Sequence, residues 1–409
     1  MLEDVLLLAR LQFAVTASVH FMFVALTLGL APIILLAQLR ATWNRDEERM
    51  RAVRFWGGLY VVNYGMGILS GLVMELQLAT NWSGLNHIFG YVFSAPLAVE
   101  TLVAFFIEST FLALWIFGWG RMNRWAHLAT FLVVAATAYA SAYWVLVANG
   151  FLNNPVGFEM RDGVAVLTDT NALLTNPSAL SAFAHIGFGS LLLGGLFLAA
   201  VSSYHLRRSY DPGGMYRRGL RVGVATAAVA LLPTFVSGGM QFPMIFDGQP
   251  PTSGDTLSST EIADIEAGYS SFLPVPVYLM VLCWLIAALI TIAALLLWLA
   301  RRLDRAPRLQ AVLVVAPLLP LLASILGWLS REMGRQPWVV VHHLPTSDGL
   351  TDLSPGAMLL SFSLFTLAFA VLATITYWLL LRYARRGPDH GPLSPPAEAE
   401  ATELTQPTY

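Results

Sequence analysis

Nine stretches of about 20 or more mostly apolar residues recur along this chain, roughly 11–38, 55–78, 93–119, 125–148, 178–204, 219–240, 274–300, 311–329 and 356–381. Each is long enough to cross the hydrocarbon core of a bilayer as a helix. Backbone groups in lipid must bond internally, so spans of this length read as helices. The expected fold is an all-α integral membrane protein with nine transmembrane helices. Composition agrees: 56% of the residues are hydrophobic and 12% charged, against about 45–50% and about 25% in soluble proteins. Net charge is −2, so no polybasic field points to nucleic acid. Cys283 is the single cysteine, which excludes an intrachain disulfide and a thiolate zinc cluster. All 23 basic residues are arginine, which excludes lysine Schiff-base and P-loop chemistry. The acidic start, Met1-Leu2-Glu3-Asp4, argues against a cleaved signal peptide.

The arginines alternate between loops. One set holds Arg40–Arg54, then Arg121 and Arg124, then Arg207–Arg221, Arg301–Arg308 and Arg382–Arg386. The other set has only Arg10, Arg161, Arg331 and Arg335. Positive loops stay on the cytoplasmic side, so the N-terminus is expected outside and the C-terminus in the cytoplasm. That alternation fits an odd number of spans and supports nine independently of hydropathy. A membrane domain is expected over 1–386, with long outer loops at 149–177, 241–273 and 330–355. The tail 387–409, rich in Pro, Ala, Glu and Thr, reads as disordered.

Ionisable side chains inside spans are costly and therefore functional candidates. His20, Glu75, Glu100, His185 and Met280 fall in the outer half of the bilayer by their positions along the spans. Glu100 lies about 10 Å deep and Glu108 about 22 Å, some 80° apart around an ideal helix. Imidazole and thioether are axial ligands for haem iron, and a His/Met pair makes an electron-transfer haem. A histidine or carboxylate with an open opposite face suits an oxygen-binding haem. A buried His or Met can equally be a hydrogen-bonding or packing group. From the residues alone, a membrane redox protein and an ion-coupled transporter both stand. His342-His343 reads as surface, and His87, His127 and His205 as interfacial or solvated.

Several motifs resemble subunit I of cytochrome bd quinol oxidase. They are Arg10-Leu11-Gln12-Phe13-Ala14 with His20-Phe21, Gly71-Leu72-Val73-Met74-Glu75, and Thr80-Asn81-Trp82-Ser83. Further along are Ala95–Glu100, Phe106–Phe111, Val147-Ala148-Asn149-Gly150 and Gly334-Arg335-Gln336-Pro337-Trp338. The likeness runs from about residue 1 to 385. It implies that His20 ligates a high-spin haem, with Glu100 the carboxylate at the same site. It implies that His185 and Met280 are the axial pair of a low-spin haem b. Glu108, Ser109 and Ser141 match a path for cytoplasmic protons, and Glu266 matches the glutamate of the outer quinol loop.

The chain also departs from the family pattern. Ile325 stands where most members have a glutamate that ligates the high-spin haem b, and Leu321 where a tryptophan is expected between haems. Glu261 replaces the quinol-loop lysine, and Tyr278 an arginine two residues before the haem methionine. Isoleucine cannot ligate iron. The resemblance implies a subunit of a respiratory terminal oxidase in the bacterial cytoplasmic membrane. It would oxidise quinol outside and reduce oxygen with cytoplasmic protons. Its cofactors would be a low-spin haem b and a high-spin haem b, haem d or both. Its partners would be a second membrane subunit and sometimes a small single-helix one. The departures motivate a rival: a divergent electron-transfer subunit lacking one high-spin haem and using another donor or acceptor.

Overall fold

The structure, a computed structural model, describes residues 2–243, 255–267 and 274–394. Helices α1 (Leu2–Asn44), α2 (Glu47–Asn81) and α3 (Ser83–Val99) open the chain. A π-helical segment, Glu100–Phe105, joins α3 to α4 (Phe106–Phe117), and α5 follows at Arg124–Asn153. A hairpin of β1 (Phe158–Arg161) and β2 (Val164–Leu167) precedes the short α6 (Thr170–Leu174). Next come α7 (Pro177–Leu206), α8 (Met215–Gly239), α9 (Ser259–Ala267) and α10 (Pro274–Leu299). The eighth span is built from α11 (Pro307–Val315) and α12 (Leu318–Gly334). β3 (Trp338–Val340), β4 (Leu344–Pro345) and α13 (Thr346–Gly349) lead to α14 (Pro355–Arg386). Among the described residues nine helices are long and apolar enough to cross a membrane, and they coincide one for one with the nine expected spans.

Helix ends fall where side chains can take up free backbone N–H groups. Asp46 accepts from the Arg49 N–H at the start of α2 (3.0 Å), and Ser354 from the Ala357 N–H at the start of α14 (3.2 Å). Lipid offers no hydrophobic drive between helices, so close backbone approach of small residues does that work. At the α1–α7 crossing a Cβ on Gly29 would lie 2.0 Å from the Ser190 carbonyl oxygen. Any larger residue there would drive the two helices apart.

Leucines and valines of α10 and α14, such as Leu282, Leu289, Leu360 and Leu367, are exposed, as a lipid-facing surface requires. Buried aromatics fill the interior instead: Phe55, Tyr60, Trp115 and Phe131 in one cluster, and Phe89 and Phe151 under the 149–177 and 330–355 loops. Two buried histidines are paired across helices. His127 contacts the Gln38 side chain and the Trp115 carbonyl (3.1 and 2.9 Å), and His205 the Ala384 carbonyl (2.7 Å). Both histidines are therefore buried among protein groups and not solvated.

The tail also differs from expectation over its first residues. Asp389 pairs with Arg51 (2.5 Å), and Pro388 and Leu393 are buried. A Cβ on Gly58 would lie 3.0 Å from the Pro392 ring, so residues 388–394 fold back onto α2. Residues 395–409 lie outside the described ones.

Candidate functional site

Two cavities lie side by side between the helices. The first is lined by His20, Glu75, Glu100, Glu108, Ser141 and Tyr64, among others. His20 comes from α1. Its Nδ1 meets the Ser70 hydroxyl at 2.9 Å, and Ser70 in turn lies 2.9 Å from the Gly67 carbonyl. A carbonyl only accepts, so Ser70 donates there and accepts from His20 Nδ1–H. That fixes the tautomer with an unprotonated Nε2, the form a metal ligand needs.

The carboxylates reach the same cavity through the π-helical segment. A π turn winds fewer degrees per residue than an α turn. It draws Glu100 and Glu108 closer to one face than the 80° of an ideal helix. Glu100 accepts from Ser141 Oγ on α5 at 2.5 Å. Glu75 accepts from Thr101, beside Glu100. Glu108 is 4% exposed. Ser109 is not brought in: its hydroxyl bonds back to the Phe105 carbonyl at 2.6 Å, and it does not line the cavity.

The second cavity is lined by both His185 of α7 and Met280 of α10. His185 Nδ1 donates to the Thr234 carbonyl at 3.0 Å, which again leaves Nε2 as a lone-pair donor. Two glycines give the pair its space. A Cβ on Gly238 would lie 2.8 Å from His185 Cε1, and one on Gly327 would lie 2.9 Å from Met280 Sδ. Nitrogen and thioether donors facing one largely apolar space are the donor set of a low-spin haem, so the residues fit the group. The first cavity fits too, with one imidazole and three carboxylates.

Phe21 and Trp328 line both cavities. Their rings stack at 5.5 Å between centroids, 21° apart, and form the wall between the two spaces. Leu321 lies elsewhere, against Leu318 and Tyr377 in a third, apolar cavity. Ile325 lines none of the three cavities, and Tyr278 is 68% exposed on the outside of α10.

At the loop end, Glu266 of α9 accepts from Trp338 Nε1 at 3.2 Å and lies 3.6 Å from His342 Nε2. His342 Nδ1 is 3.3 Å from Asp255. Both His342 and His343 are buried rather than on the surface, with side chains 4% and 5% exposed. Burial pushes the pKa of His343 down, partly opposed by Asp255. Glu261 has a local role. Its carboxylate accepts from the Ser258 N–H and hydroxyl at 2.8 and 2.6 Å, and its own N–H meets Ser258 Oγ at 3.3 Å. This is a capping box at the start of α9, and those bonds lower the Glu261 pKa.

Sequence reasoning missed Ser70, Thr234 and Arg331. The first two act through pairings between distant helices that no local pattern announces. Arg331 left a trace, as one of four arginines outside the arginine-rich loops.

The helical array defines a multi-pass membrane protein, with two sets of haem-type donor side chains between its helices. A sequence profile described as Cytochrome bd terminal oxidase subunit I matches residues 8–253 and 257–388, and the chain belongs to that family. It is 30% identical over 443 residues to cytochrome bd ubiquinol oxidase subunit 1 of Bacillus subtilis, covering 94% of each chain. It is 38% identical over 239 residues to cytochrome bd-II ubiquinol oxidase subunit 1 of Escherichia coli, covering 58% of this chain and 46% of that one. The structure of bd oxidase from Geobacillus thermodenitrificans superposes with a TM-score of 0.81 at 23% identity, over 94% of this chain and 99% of the other. That likeness bears on the fold.

Proposed function

We propose that this chain is the haem-bearing subunit of a bd-type quinol:oxygen oxidoreductase, with quinol oxidised at the outer face and oxygen reduced to water with cytoplasmic protons. The observation that carries it is the second cavity, where His185 Nε2 and Met280 Sδ share one space while Thr234 holds the other imidazole nitrogen. A low-spin haem b belongs there, and high-spin haem b or haem d beside His20 and Glu100. The haems, when bound, supply the one-electron relay and the iron at which oxygen is reduced.

The chain's own residues do the rest. His20 and His185 present pre-set lone pairs, which avoids reorganisation on ligation. Phe21 and Trp328 keep water from the boundary between the cavities. Glu108, beside Tyr64, receives a proton from the arginine-rich side, and Ser141 holds Glu100 ready to receive the next. Glu266 and the buried His342 accept protons from quinol at the opposite end. The N-terminus then lies outside and the tail in the cytoplasm. A second membrane subunit, and in some assemblies a single-helix one, completes the enzyme against the exposed apolar faces.

A second reading is favoured by Ile325, which lines neither donor cavity. The chain then carries one high-spin haem fewer and passes electrons to or from another partner. A reduced-minus-oxidised visible spectrum of the purified complex, with and without carbon monoxide, tests both readings. A low-spin b signal with a carbon-monoxide-sensitive d-type band supports the oxidase. A low-spin signal alone favours the second reading. Absence of haem overturns both.

A further inference from the structure

Arg331 sits near the end of α12, 6% exposed, and lines the cavity that holds His185 and Met280. Every protein acceptor on its guanidinium is neutral. Nε bonds Asn149 Oδ1 at 2.6 Å, Nη1 bonds Gln241 Oε1 at 3.2 Å, and Nη2 bonds the Ser178 hydroxyl at 2.8 Å. The adjacent acid, Glu332, is committed elsewhere, to Arg335 at 2.5 Å and Asn149 at 2.8 Å. Glu332 attracts Arg331 without touching it, and Arg335 repels it; the direct bonds to the guanidinium all come from neutral groups. A buried cation with no carboxylate in contact is costly. Three segments of the chain converge neutral acceptors on a guanidinium that lines a largely apolar cavity, an arrangement that an anion would complete. Arginine is also the side chain best shaped to grip a carboxylate with two N–H groups.

We propose that Arg331 is the counter-charge for a carboxylate of the group seated between His185 and Met280, a propionate of the low-spin haem, and that it sets that haem's potential. The proposal rests on the function argued above. The three neutral acceptors orient the guanidinium and leave the charge uncancelled. The reduced haem carries one more negative charge than the oxidised one, so the cation favours reduction.

The test is a spectroscopic redox titration of the low-spin haem in the whole purified complex, comparing wild type with Arg331→Gln and Arg331→Lys. Arg331→Gln should favour the oxidised form by tenfold or more at a fixed ambient potential, a fall of about 59 mV for one electron. Arg331→Lys, which keeps the charge, should titrate close to wild type. If Arg331→Gln retains the haem and titrates within twofold of wild type, the arginine is a structural tie and the proposal fails. If Arg331→Gln loses the haem, the lysine variant decides. Haem retained at the wild-type potential supports the charge contact. Haem lost from both variants means the fold needs the guanidinium fork itself, and overturns it. Absence of haem from the wild-type complex would instead defeat the proposed function.

Discussion

Gly238→Ala places one methyl group against the His185 ring. The new carbon would lie 2.8 Å from Cε1 and 3.0 Å from Nδ1, whereas carbon contacts settle near about 3.5–4.0 Å. The imidazole must therefore withdraw by roughly 0.5–1 Å. That withdrawal breaks the 3.0 Å bond to the Thr234 carbonyl, a loss of about 1 kcal/mol, and overpacking adds about 1–3 kcal/mol. Losing the orienting bond of a metal-ligating histidine lowers metal affinity about 10–100-fold. Gly239→Ala is the internal control, because a Cβ there meets nothing within 4 Å. The assay is haem content and low-spin absorbance of the purified complexes, followed by haem titration of the depleted proteins. Gly238→Ala should bind at least tenfold more weakly while Gly239→Ala matches wild type. A Gly238→Ala complex with wild-type haem affinity would refute both the packing argument and the placement of a ligand at His185.

Glu108→Gln should slow oxygen-reducing turnover while the His185/Met280 haem remains reducible; unchanged turnover in a stopped-flow assay would remove Glu108 from the proton route. Ser70→Ala should release the His20 tautomer and weaken haem binding in the first cavity about 10–100-fold, with the low-spin signal of the second cavity unaltered. The Glu261 cap has a defined pH dependence. Its folded pKa is lowered by Ser258, so its contribution is fully present above the ordinary carboxylate value of about 4.3 and lost as pH falls through the lowered one. Amide protection of Ile262 and its neighbours, measured by hydrogen exchange between pH 6 and 3, should fall in that range, and Glu261→Gln should flatten the curve.

Much of the architecture was legible in the sequence because the bilayer leaves few choices. Apolar length alone specifies spanning helices, and arginine placement specifies their alternation. His20, Glu100, His185 and Met280 stand out in the sequence as ionisable or soft-donor groups inside spans, and the structure sets them around two cavities. Other features depend on which helices meet. The π-helical segment has no mark in Glu100–Phe105 that the chain announces, yet it turns Glu108 toward Glu100. His342 and His343 look like loop residues, but the packing of α9 and β3 buries them. Ser109 carries the right side chain and bonds its own helix instead. Sequence thus determined how many helices cross and which chemistry they carry, because those depend on each residue against lipid. Tertiary structure alone decided which donors share a cavity, which tautomers are held and where Arg331 places its charge, because each depends on groups tens to hundreds of residues apart meeting within hydrogen-bond distance.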